Sequence, residues 1–415
     1  MELGLAMPQA APETGIRKGF LEDLALKVLY LNGEMSLVEL SDHLCLGPAI
    51  IEGIFQFLRK EHLCEVKGMV GNIHRIATST QGKMRAAELL SLSQYAGQAP
   101  VSIADYKIRV RAQSVQQSVI RPEDLARAFH RLVLSEDVLS KLGAAVVSGT
   151  SVFLHGPSGT GKTSIADSIA AIYTDSVWIP YAVEVDSQTI TVYDPGVHHR
   201  VKDIAMEQSD KRWVLCERPR VFVGGELSVT MLDLQYSQAS RFYTAPLQMK
   251  ANNGVLIIDD FGRQRMRPEE LLNRWMTPLD KRIDFLTLPG GRKFEIPFDL
   301  FAVFSTNINP RQLADDAFLR RIPNKIKLDY ATPAQFLEIL RRECDRRLLS
   351  CEDGVGEQLI RFITDDMKQP LCQCHPGDLL NQISWAATFR VEPTRINSRT
   401  LEQACGTYFL SSEKE

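Results

Sequence analysis

The sequence predicts an α/β protein: a phosphate-loop parallel sheet flanked by helices, preceded by a small helix-and-wing domain and followed by an α-helical lid. Three observations carry this. From about residue 121 to 330, apolar strands alternate with helical stretches, as in a parallel sheet covered by helices. Gly156-Pro157-Ser158-Gly159-Thr160-Gly161-Lys162-Thr163 fits the phosphate-loop pattern at every position, with the apolar Ser151–Leu154 before it and helical sequence after it. Residues 331–408 read as helical only.

Bulk properties agree with a soluble multidomain chain. At 415 residues, 44% hydrophobic and 24% charged, it can build two or three cores. The first residues lack a basic start followed by an apolar core, and no apolar run reaches membrane length, so neither export nor membrane insertion is expected and the cytoplasm is the expected location. The eight cysteines show no paired spacings and read as reduced thiols, and Cys372-Gln373-Cys374-His375 lacks a second half-site for zinc. A net charge of −3 gives no whole-chain sign of nucleic-acid affinity.

In chain order, residues 1–16 are expected to be flexible. Residues 17–90 give three helical stretches and then an alternating pair of strands turning at Gly68 and Gly71, a winged helix. Residues 91–120, opening with SLSQYAGQAPVS, read as a linker. The α/β core spans 121–330 and carries a β-rich insertion at 181–223 and a hairpin at 283–298 around Pro289-Gly290-Gly291. The lid spans 331–415. His198 and His199, at the tip of the insertion, are either substrate contacts or ordinary exposed loop residues.

The candidate site begins at the loop. Its small residues let backbone N–H groups converge on a polyphosphate at a helix N-terminus, so Gly156, Pro157, Ser158, Gly159, Thr160, Gly161, Lys162, Thr163 and Ser164 are the expected ATP contacts. Lys162 would neutralise the β and γ phosphates, and the Thr163 hydroxyl would sit on Mg²⁺. Gly254–Ile258 is an apolar strand ending in Asp259 and Asp260: the first is expected to hold Mg²⁺, the second to orient the attacking water. Leu300–Thr306 is another apolar strand ending at Asn307, which would hold that water from the opposite side.

Together these residues resemble the AAA+ ATPases: the phosphate loop, IIDD as Walker B, FSTN as sensor 1, and Asp316-Ala317-Phe318-Leu319-Arg320-Arg321 as the arginine-finger segment. The hairpin before sensor 1 resembles the branch holding MoxR-type chaperones, the Mg-chelatase ATPase subunit and enhancer-binding activators. The resemblance implies an ATP- and Mg²⁺-dependent ring, usually a hexamer, with ATP at each subunit boundary and an arginine supplied by the neighbour. Arg321 is the first choice for that arginine and Arg320 the second. It also places Arg292 and Lys293, at the hairpin tip, toward the ring's channel. Two positions depart from the pattern: Asp260 stands where the family usually has Glu, and Gly377 where its lid usually has an arginine.

The resulting reading is an ATPase that remodels or assembles a protein partner, the client being unidentified. The alternatives are a DNA-associated AAA+ regulator or motor recruited through residues 17–90, and a slow ATP-gated assembly switch. Residues 17–90 carry nine Lys and Arg against nine Asp and Glu, which favours protein contact over DNA, although wing residues Lys67, Arg75, Lys83 and Arg85 leave DNA open. A GTPase is excluded because Asn324-Lys325-Ile326-Lys327 lacks the guanine-reading Asp.

Overall fold

The computed structural model describes residues 5–201, 209–288, 290–313 and 315–409. The ends of the expected flexible start and lid, part of the insertion and Pro289 at the hairpin turn lie outside the described residues.

The five central strands run parallel in the order Arg220–Val223, Val255–Ile258, Phe301–Thr306, Val152–His155, Asn324–Lys327. Successive side chains on a strand point to opposite faces, and both faces here are covered. Val152, Leu154, Val255, Ile257, Phe301 and Val303 pack against helices on one side, with Leu142, Val146, Ile165 and Ile169. Phe153, Leu256, Ile258, Ala302 and Phe304 pack on the other, with Leu271, Leu272, Trp275 and Phe318. This two-sided burial is why the strands read as unbroken apolar runs. The chain therefore has the α/β phosphate-loop fold.

The β-rich insertion is larger than the sequence suggests, and displaced. Arg220–Val223, expected within it, is the edge strand of the central sheet. The inserted sheet runs Gln235–Tyr236, Tyr243–Thr244, Gln188–Thr191, Ala182–Val185, Val101–Ser102. Beside it, Ser176–Pro180 pairs antiparallel with Trp213–Glu217. The hairpin strands Ile283–Thr287 and Lys293–Pro297 add Leu286 and Ile296 to the same apolar core. At the hairpin tip, the Arg292 guanidinium pairs with Asp186 at 2.8 Å.

Residues 91–120, expected as a linker, are mostly structured. Residues 93–100, 113–114 and 118–120 lack helix or strand; Val101–Ser102 joins the inserted sheet, and Ser102 caps the helix Ile103–Ala112, its hydroxyl accepting from the Asp105 N–H. Beyond that helix, Gln113 donates to the Trp178 carbonyl and Asn253, and Asn253 donates to Asp299 at 2.6 Å, a buried network tying the segment to the core. Residues 5–16, expected to be flexible, are also held. The Asp210 N–H donates to the Leu5 carbonyl, and Arg212, buried and paired with Asp210, donates to the carbonyls of Thr14 and Pro100.

Residues 18–92 contain the helices Lys18–Asn32, Leu37–Leu44, Pro48–Lys60 and Thr80–Leu92 and a three-stranded sheet. Ser36 and Glu39 form a capping box at the second helix. The core of this unit includes Ala182 and packs against Phe242, both from the inserted region, so the unit rests on the inserted sheet. The lid consists of the helices Pro333–Arg347, Val355–Arg361, His375–Arg390 and Ser398–Tyr408 around Phe336, Leu340, Leu379 and Leu401, with a single wide helical turn at Phe362–Asp366.

His198 differs from both sequence readings: it is buried, while His199 is exposed. Its Nδ1 accepts the Asp194 N–H, leaving Nε2 to donate to the Lys250 carbonyl at 2.9 Å. Burial pulls its pKa down to about 4, the Lys250 hydrogen bond and Asp194 acting in the opposite direction. Above about pH 6.5 the ring is neutral folded and unfolded, and its contribution is complete. As pH falls from about 6.5 to about 4, only the unfolded chain takes up the proton, so stability drops by about 1.4 kcal/mol per unit. His198→Gln should reduce that acid-side loss, measured by urea unfolding at pH 7 and pH 4.5.

Candidate functional site

The loop strand ends at His155 and the following helix, Lys162–Ala170, starts at Gly161, so the loop lies at the C-terminal edge of the sheet. Gly156, Gly159 and Gly161 all have positive φ. At Gly156 there is also no room for a side chain, since a Cβ would stand 2.0 Å from the Leu328 carbonyl oxygen. The Thr160 hydroxyl donates to the Pro157 carbonyl and closes the turn. The buried Lys162 folds its ammonium onto the carbonyls of Gly156 and Pro157, at 3.0 and 2.6 Å. Burial pulls its pKa down, while Asp259 and Asp260 oppose that.

Asp259 directly follows the strand Val255–Ile258, and its carboxylate accepts from the Thr163 hydroxyl at 2.8 Å. Thr163 and Asp259 are thus brought together as the sequence suggests. Asp260 turns out of the strand with φ +48, a left-handed conformation that Asp tolerates better than most residues. Its exposed carboxylate accepts no hydrogen bond from the described residues. Asn307 follows the neighbouring strand Phe301–Thr306, and its Oδ1 is buried with no hydrogen-bond partner. Thr306 fixes that strand end, its hydroxyl donating to the Phe261 carbonyl just past Asp260 at 2.6 Å.

The two arginines differ in exposure: Arg320 is exposed and Arg321 half-buried. The Arg321 guanidinium donates to the Ala317 carbonyl at 2.6 Å, its Nε is buried without a partner among the described residues, and it lines a cavity with Thr150, Ser151, Arg282 and Arg320, at the starting end of the loop strand. Arg320 is exposed and makes no ion pair among the described residues. It lines a cavity of about 530 Å³ with His155, Asn309 and Lys325, at the loop end of the strand. Arg320 is thus the more exposed of the two arginines.

One contact has no sequence signal, because more than 200 residues separate its halves. The segment ahead of the lid helix His375–Arg390 sits directly on the phosphate loop. The Cys374 N–H donates to the Gly159 carbonyl, and a Cβ on Gly159 would meet Cys372 and Cys374 at 2.9–3.0 Å. A Cβ on Gly161 would stand 2.8 Å from the Gln373 amide oxygen. Burial pushes the Cys374 thiol up to about 11. Beside Gly377 stands Arg347, which donates to the Gly377 carbonyl at 3.1 Å and to Asn381, and pairs with Glu343.

One known family matches, over residues 332–407, a Domain of unknown function (DUF8689). No curated protein matches the sequence. Among solved structures, the chain is similar to the Thermotoga maritima RuvB Holliday junction branch migration motor, at 17% identity and TM-score 0.36, over 69% of this chain and 70% of that one. It is also similar to NtrX from Brucella abortus in complex with ADP, at 11% identity and TM-score 0.42, over 70% of this chain and 59% of that one. No helix among the described residues is long and apolar enough to cross a membrane.

Proposed function

We propose that the chain is an AAA+ type ATPase that assembles into a ring, probes its nucleotide with residues from two copies, and couples turnover to remodelling or assembly of a protein partner. The observation that carries this reading is a pair of groups at the ends of neighbouring strands: the exposed Asp260 carboxylate and the buried Asn307 Oδ1, neither with a hydrogen-bond partner among the described residues. A buried polar atom left alone costs about 1–3 kcal/mol, and it persists where a ligand or water completes it. A water held between Asp260 and Asn307 would be oriented for attack on a terminal phosphoryl group. Thr163 and Asp259 fit Mg²⁺ as a hydroxyl and a carboxylate already in contact, hard oxygen donors of the type this ion takes. The ion's contribution when bound is to neutralise phosphate charge. Lys162 would exchange its loop carbonyls for phosphate oxygens, and Arg320 would serve the neighbouring copy.

We read residues 18–92 as a winged helix that makes protein contacts. Its third helix, Pro48–Lys60, exposes Ala49, Glu52, Gly53 and Gln56 along the half that would enter a DNA groove, so no cation is offered there. A second reading, the slow ATP-gated switch, draws on the lid seated on the loop: nucleotide entry would have to move Gln373 and Cys374. The shorter Asp260 and Gly377 point the same way.

ATP turnover measured against protein concentration tests the proposal. Turnover per chain should rise with concentration, and Asp260→Asn should lower it by about 10²-fold or more while ATP binding persists. Turnover per chain that stays constant counts against the ring. Slow turnover with ATP-dependent oligomers selects the switch.

A further inference from the structure

The lid carries a second polar groove away from the phosphate loop. It has a volume of about 580 Å³ and lies between the helices His375–Arg390 and Ser398–Tyr408. Three arginines line it, Arg390, Arg395 and Arg399, together with one carboxylate, Glu392. None of the three has a carboxylate within ion-pair distance among the described residues; Arg390 reaches only the Gln403 amide oxygen, at 3.4 Å. Elsewhere in the lid, Arg341, Arg342, Arg346 and Arg347 are all paired with acids. Arg399 stands in the first turn of its helix, where the backbone dipole is already positive, so the groove gathers cations at the end that repels them. Gln382, Asn397 and Gln403 add amide groups to its walls.

Outside the groove's lining, the helix His375–Arg390 carries exposed aromatic surface on the side next to Gln382. Trp385 and Phe389 are 61% and 89% exposed. They are four residues apart and so share one face of the helix. Phe389 lies two turns beyond the groove residue Gln382, within about 20° of the same direction. Val391, 92% exposed, extends the apolar strip past the helix end. Unpaired guanidinium groups beside exposed flat rings form the combination that holds a phosphate backbone and stacks its bases.

From this we infer that the lid groove binds single-stranded nucleic acid, with Arg390, Arg395 and Arg399 on phosphates and Trp385 and Phe389 stacked on bases. The inference does not depend on ATP hydrolysis. The rings favour this ligand over an acidic or phosphorylated peptide, which would use the arginines and leave Trp385 and Phe389 in water. Single strands fit better than duplex, whose bases are already stacked and offer the rings no free face.

The test is fluorescence anisotropy of the full chain with a labelled oligothymidylate of about 12 nucleotides, the size range such grooves occupy, compared with the matching duplex and with polyglutamate. Binding to the single strand should exceed both. Arg395→Gln combined with Arg399→Gln should weaken it about tenfold and lower its salt dependence by about 1.4 in log–log slope, at about 0.7 per lost single-strand phosphate. Trp385→Ala should weaken it, and Trp385→Phe should retain most of it. Thermal unfolding of each variant, unchanged from the parent, shows that the lid is intact. Four results would overturn the inference: no oligonucleotide binding at about 50 mM salt, equal affinity for polyglutamate, affinity unaffected by the arginine pair, or Trp385→Ala and Phe389→Ala disrupting self-association while oligonucleotide affinity holds.

Discussion

Arg320→Ala is expected to cut ATP turnover by about 10³-fold or more while leaving ATP affinity near that of the parent. Two things set the size of this effect: where charge develops and which side chain is free to meet it. Breaking the β–γ linkage spreads negative charge over the terminal phosphoryl oxygens, and a guanidinium inserted from outside stabilises that charge only as it forms. Arg320 is exposed, unpaired among the described residues, and stands at the loop end of the sheet. Its neighbour Arg321 is half-buried and donates to the Ala317 carbonyl. Arg321→Ala should therefore leave turnover within a few-fold of the parent and cost about 1 kcal/mol of stability for the lost hydrogen bond. Turnover assays, with affinity measured by a fluorescent ATP analogue, check both. The opposite ranking would restore Arg321 as the finger.

Lys162→Met is expected to fail earlier, at binding. The methionine keeps most of the apolar stem and deletes the ammonium, so the loop fills similarly but offers no cation to the β and γ phosphates. A hydrogen bond to a charged group contributes about 1.5–3 kcal/mol, and each 1.4 kcal/mol is tenfold in affinity, so ATP should bind about 10- to 100-fold more weakly. The unliganded protein should lose little stability, because the ammonium is partly desolvated and burial already lowers its pKa. Calorimetric titration with ATP and Mg²⁺ measures the first effect and thermal unfolding without nucleotide the second.

The central sheet was legible because its strands are buried on both faces, which forces apolar side chains at every position from Val255 to Ile258 and from Phe301 to Phe304. The loop was legible because phosphate binding demands small residues and positive φ at fixed spacing. Boundaries were less so. Arg220–Val223 alternates because it is an edge strand, with Phe222 46% exposed, and an alternating strand looks the same at the edge of a parallel sheet as within an antiparallel insertion. The helix Ile103–Ala112 was hidden by its charges: Lys107 and Arg111 reach Glu295 on the hairpin, a long-range pairing without local signal. Nor does sequence tell which of two adjacent arginines turns outward, since one residue rotates a helical side chain by about 100°. The lid's seat on the phosphate loop is tertiary altogether.

The account's central claim is that the reaction needs groups from two copies, and mixing two inactive variants tests it most directly. In a ring of head-to-tail contacts, a seam between an intact loop and an intact Arg320 forms at about a quarter of the boundaries of a random equal mixture. Lys162→Met and Arg320→Ala, each nearly inactive alone, should therefore regain ATP turnover when combined. A mixture no more active than its components, at concentrations where the parent protein is fully active, would contradict the claim.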